Sequence, residues 1–138
     1  MDDVKALNEL YKIVTMGIIG IDEVKGHIED KALAKTLSDA KKKYGVNKLD
    51  ITNMLKELGE DPIEINIIIK MFNEIYTGIE LINCDDSKIA KMLIEGTNKG
   101  ILKIEKILNS DMDQKVTKLA EELLELLEFQ IKSWKPYL

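Results

Sequence analysis

Apolar residues recur along this chain in alternating steps of three and four for nearly its whole length, and that spacing admits few folds. The first run reads Leu7, Leu10, Val14, Gly17, Ile21, Val24 and Ile28, which at 3.6 residues per turn falls on one face of a helix from about Asp3 to Ile28. A second run, Leu33, Leu37, Ala40, Tyr44, Asn47, Ile51, Leu55 and Leu58, marks a helix from about Lys31 to Leu58. A fourth follows Ile89, Leu93, Gly96, Gly100, Ile104 and Ile107, and a fifth follows Val116, Leu119, Leu123, Leu126, Gln130 and Trp134. A one-sided apolar stripe must be covered, and striped helices joined by short links cover one another as antiparallel neighbours. The expectation is an all-α, single-domain bundle over residues 1–138, four long helices with a fifth in the crossover.

Helix boundaries are signalled locally. Asp30 is placed to cap the second helix and Asp85 or Asp86 the fourth, because a short carboxylate accepts the unpaired amides of a first turn. Gly59 supplies a left-handed stop, Asp61-Pro62 suggests a restart, and Pro136 closes the last helix. The middle segment, Ile63 to Ile82, is mixed. Ile63-Glu64-Ile65-Asn66-Ile67 alternates like a strand, but Ile65, Ile68, Phe72, Ile75, Ile79 and Ile82 hold helical spacing and a lone strand would have no partner. One helix over Ile63–Ile82 is expected. Ile67, Met71, Tyr76 and Leu81 remain apolar off its stripe, and a second apolar face asks for a second partner: a homodimer interface or the cover of a hydrophobic ligand site.

Composition narrows function by exclusion. All 20 basic residues are lysine, and the formal net charge is −5. The planar guanidinium fork that grips phosphate and reads guanine is missing, which argues against nucleic acid. No uncharged run approaches the roughly 18 residues of a membrane span, and the start carries no export signal. One cysteine, Cys84, cannot form an internal disulfide, and its acidic neighbours make it a poor nucleophile. A cytoplasmic setting is expected.

The stretches Leu7-Asn8-Glu9-Leu10-Tyr11, Met16-Gly17-Ile18, Leu55-Lys56-Glu57-Leu58-Gly59-Glu60-Asp61-Pro62 and Met92-Leu93-Ile94-Glu95-Gly96-Thr97 resemble a family of small, uncharacterised bacterial ferritin-like proteins, with stress-associated and spore-coat-like members among its relatives. The resemblance implies a ferritin-like four-helix bundle. It does not extend to the di-metal site, which takes one Glu from each of two helices and a Glu-x-x-His pair from each of the other two. The one histidine, His27, follows Val24 at three residues, and the positions matching the carboxylates of the first and fourth helices fall near Ile18 and Thr97. The reading is a non-enzymatic structural or interaction bundle without catalytic residues, metal or cofactor. Two alternatives stand beside it, a degenerate carboxylate-bridged metal protein and a binder of small hydrophobic ligands.

Other candidates have plain structural readings. Glu23 and His27, spaced i, i+4, are weak metal ligands and fit a dipole-favoured pair in a last turn. Gly96-Thr97-Asn98-Lys99-Gly100 lacks the strand a phosphate loop needs and reads as close packing, with Gly17 and Gly20 expected to face Gly96 and Gly100, backbone against backbone. Lys41-Lys42-Lys43 reads as a solvated face, and Asn47 as a register-setting polar residue in the core.

Overall fold

The structure, a computed structural model, describes residues 1–76 and 81–138, with the backbone alone at Ile82. Five helices cover most of it: α1 (Asp3–Val24), α2 (Lys31–Glu57), α3 (Ile65–Ile75), α4 (Asp86–Leu108) and α5 (Gln114–Trp134). Among the described residues there is no strand.

The caps follow from short-range chemistry. The Asp30 carboxylate accepts the amides of Ala32 and Leu33, Asp85 that of Lys88, and Asp113 that of Lys115. Asp86 has a different task, accepting the amides of Glu29 at 3.0 Å and Asp30 at 2.8 Å. Those two bonds pin the start of α4 to the α1–α2 turn. At the opposite end, Asp3 accepts the Asp113 amide at 3.1 Å, fixing the start of α1 at the α4–α5 turn. Together they orient the bundle: α1 runs antiparallel to α2 and α4, and α2 runs parallel to α4, so the segment between them must cross the bundle's length.

Each long helix buries its stripe. The core joins Leu7, Leu10 and Val14 of α1 with Leu33, Leu37 and Leu55 of α2, Ile89 and Ile104 of α4, and Leu123 and Trp134 of α5. No Asp, Glu, Lys or His is buried among the described residues, and the buried polar side chains besides tyrosine and Trp134 are Thr15 and Gln130.

The crossover departs from expectation. Gly59 takes the left-handed φ of +73° and stops α2, but no helix restarts at Asp61-Pro62. The Ile63 amide donates to the Asn8 side chain at 3.0 Å, which holds that residue to α1 in place of a first helical turn. α3 begins at Ile65 and ends at Ile75, where the Tyr76 amide closes on the Phe72 carbonyl. It spans 11 residues, not the whole of Ile63–Ile82. A short 3-10 turn, Leu81–Asn83, leads to α4, and the expected stripe position Ile79 lies outside the described residues. The first helix is also shorter than expected, since Lys25–His27 form a 3-10 turn beyond Val24.

Candidate functional site

Four glycines, Gly17 and Gly20 of α1 and Gly96 and Gly100 of α4, leave room for side chains of other elements. A methyl at Gly17 would lie 2.7 Å from the Tyr44 ring, and one at Gly96 would lie 2.5 Å from the Tyr76 hydroxyl. At Gly100 it would meet Ile13 at 3.2 Å and Leu127 at 3.3 Å, whereas Gly20 has Phe72 at an ordinary 3.6 Å. What stands beside each glycine is not the backbone of a facing glycine, as expected, but side chains of other elements, three of them aromatic.

Setting aromatic rings over missing side chains does not fill the space. A cavity of about 630 Å³ opens between α1, α3 and α4, with the buried Tyr44, Leu127 and Trp134 as its inner wall. Its sides are Ile13, Met16 and Ile21 of α1, Phe72 and Ile75 of α3, and Met92 and Leu93 of α4. Among the described residues, Lys12, Glu23, Lys99 and Lys103 are its charged ones, all on the long helices at the margin where the cleft meets solvent. The bundle interior is therefore not filled from end to end.

Two tyrosines give the cleft polar points. The Tyr44 hydroxyl donates to Gln130 Oε1 at 2.6 Å within the core, and burial pushes its phenol far above the usual range. Tyr76 stacks beside Phe72 with ring centroids 4.6 Å apart. Its phenol is also raised, by burial first and by the nearby Glu95 carboxylate second.

The residues singled out from sequence scatter. Tyr76 and Leu81 line the cleft instead of facing outward. Ile67 is 45% exposed and joins Ile65, Ile69 and Ile75 as unburied isoleucines of α3, and Met71 is half-buried. Asn47 is half-buried rather than central. A straight helix drifts against a seven-residue repeat, so the seam passes between Asn47 and Lys48, whose ammonium lies 5.5 Å from the Tyr11 ring centroid. Glu23 stands at the cleft margin, while His27 is exposed in the 3-10 turn, off the helical face the i, i+4 pairing assumed. The lysine run divides its work: Lys41 bonds Asp22 at 2.7 Å and Lys43 lies 5.2 Å above the Phe129 ring centroid.

No family model matches the chain, and no curated protein matches it. Solved structures do. A conserved hypothetical protein, rv2844, from Mycobacterium tuberculosis superposes with a TM-score of 0.78 at 16% identity, over 99% of this chain and 96% of its own. A dodecameric thioferritin, the bacterioferritin-related protein from Bacteroides fragilis, gives 0.78 at 13% identity, over 99% and 86%. The fold is ferritin-like.

A ferritin-like bundle raises the question of a di-metal centre, and the residues here do not fit one. Such a centre needs several inward carboxylates with histidine support. Among the described residues the cleft offers one carboxylate, Glu23, at its margin, and no group of three or more His, Cys, Asp or Glu side chains converges. Of the two positions matched to metal-binding carboxylates, Thr97 lines the cleft and Ile18 packs against the core. In this ferritin-like frame the space between α1, α3 and α4 is lined mainly by apolar side chains.

Two features escaped the sequence reading: the Tyr44–Gln130 bond and the Phe72–Tyr76 pair. A signal for the first was present, since Gly17, Tyr44 and Gln130 all occupy stripe positions and a stripe glycine invites a large residue opposite.

Proposed function

We propose that the protein is a non-enzymatic binding bundle whose cleft receives a small hydrophobic ligand. The cavity carries the reading: about 630 Å³ lies within the roughly 300–1,000 Å³ of small-molecule sites, and its walls are aliphatic, aromatic and methionine side chains. Met16 and Met92 suit an adaptable fit, because an unbranched thioether changes shape at low cost. The reading takes the protein as cytoplasmic; its single cysteine leaves no internal disulfide, and no helix of the described residues is long and apolar enough to cross a membrane.

Trp134, the one tryptophan of the chain, lines the cleft, so ligand entry changes its emission. Titration with neutral apolar probes should quench or shift that signal to saturation. Gly20→Leu, which adds bulk where only Phe72 stands within 4 Å, should abolish saturation while leaving helicity intact. A Trp134 signal unmoved by every neutral probe would overturn the reading.

Self-association through α3 is a second reading. It is favoured by Ile65, Ile67, Ile69 and Ile75, which are 44%, 45%, 39% and 46% exposed on one short helix, and a dodecameric neighbour is compatible with it. Sedimentation of a clean monomer at tens of micromolar would remove it.

A further inference from the structure

The charged residues of the cleft are not spread evenly along it. The Gly100–Ile13 approach sets the register of the antiparallel α1–α4 pair, placing Lys99 and Lys103 beside the turn of α1 that carries Lys12. Lys99 and Lys103 are spaced i, i+4 and so share a helix face. Glu23 lies three turns further along α1, toward the start of α4. Among the described residues the cleft thus has a cationic end and an end bearing its one carboxylate. Lys12 is already engaged by Glu9 at 3.0 Å; among the described residues, no carboxylate lies within 4.0 Å of Lys99 or Lys103.

Resting on the reading of the cleft as a ligand site, we infer that its occupant is a monomeric anionic amphiphile of the fatty-acid type, an unbranched chain with its carboxylate at Lys99 and Lys103. Charge complementarity sets the direction, since the opposite orientation would bring two carboxylates together at Glu23. Length sets the chain. From Ile13 to Val24 the lined stretch of α1 rises about 16 Å, which an extended alkyl chain advancing roughly 1.3 Å per bond covers with on the order of a dozen carbons. Each methylene removed from water adds to affinity, so the walls supply binding and the lysines supply selection.

The test titrates Trp134 emission with dodecanoate, below its micelle concentration, and with dodecanol. Both should saturate, dodecanoate about fivefold more tightly at low salt, and added salt should erase the difference. In Lys99→Gln/Lys103→Gln, dodecanoate should fall to the affinity of dodecanol. Equal affinities in the parent protein, or a preference that survives the double substitution, overturn the inference and leave the cleft reading standing. Failure of both probes to bind overturns the cleft reading itself. Binding of anionic lipid vesicles without binding of monomeric dodecanoate overturns the inference in favour of a membrane surface.

Discussion

Where α2 meets α5 the core is packed by matched side chains, Leu37 and Tyr44 on one helix and Leu127, Gln130 and Trp134 on the other, all 3% exposed or less, with hydrogen bonds from Tyr44 to Gln130 and from Trp134 to Thr36 across the seam and a smaller groove of about 180 Å³ beside Gln130 and Trp134. Where α1 faces α4, glycines stand at the corresponding positions and the space is shared among rings from α2 and α3 and an open cleft. Both sides are built from stripes of the same period. What separates them is side-chain volume, and volume decides whether a helical interface becomes core or site.

The largest expected effect is a matched pair of truncations. Leu37→Ala, in the closed side, leaves a cavity among fully packed neighbours and should cost about 2–5 kcal/mol. Leu93→Ala, at a half-buried residue bordering existing space, should cost about 1 kcal/mol. Chemical denaturation measures both. Equal costs would mean that the cleft side is packed as tightly as the other, and the contrast would be lost.

The same contrast marks what could be read from sequence. The caps at Asp30 and Asp85 and the stop at Gly59 depend on residues within a few positions, and the stripes needed only local periodicity, so the four long helices were legible. The short α3 was not, because Ile63 is held by Asn8, 55 positions away, a partner no local pattern announces. At the cleft, the glycines announced close packing, but which atoms approach them depends on the crossing of four elements. Asn47 and Gln130 show the limit most plainly. Both lie on stripes, yet one ends half-buried and the other only 3% exposed, since helix drift rather than residue type decides which polar stripe residue reaches the centre.

Glycine substitutions sharpen the comparison at intermediate size. Gly17→Ala forces a methyl against Tyr44, whose hydroxyl is anchored by Gln130, and overpacking of this kind should cost about 1–3 kcal/mol despite the better helix former. Gly45→Ala lies on the exposed face of α2 with nothing within 4 Å, and should stabilise by up to about 1 kcal/mol. Opposite signs in thermal unfolding confirm that Tyr44 is an immovable wall. A stabilising Gly17→Ala would show instead that the ring can withdraw into the cleft.

Tyr44 also gives the closed side a pH signature. Its folded pKa is raised by burial above the ordinary 10.0, so the folded protein retains a proton that the unfolded chain releases. Stability from this group is fully present below pH 10 and declines as pH rises above it toward the folded value. Tyr44→Phe should lower stability at neutral pH by about 1–3 kcal/mol, because Gln130 Oε1 loses its donor, and should flatten the alkaline decline. Pairing it with Gln130→Leu should recover part of the loss, since the buried amide nitrogen already has no partner among the described residues. An alkaline decline unchanged in Tyr44→Phe would assign it to another phenol.

The smallest effect tests whether the surface ties the α1–α2 hairpin at all. Asp22 of α1 receives Lys41 of α2 at 2.7 Å and Lys25 at 3.2 Å. The hydrogen bond from Lys41 is the main cause holding its carboxyl below the usual 3.8 against a modest burial penalty. A lowered folded pKa contributes stability above the unfolded value and loses it as pH falls through the folded one. The Asp22 side chain is 41% exposed, so solvent and salt screen most of that contribution. Asp22→Asn should therefore cost no more than a few tenths of a kcal/mol at neutral pH, vanishing at high salt. A cost near that of Leu37→Ala would mean that electrostatics, rather than the buried stripes, joins the first hairpin, and that the division between a closed and an open side begins at the surface instead of in the volume of the side chains within.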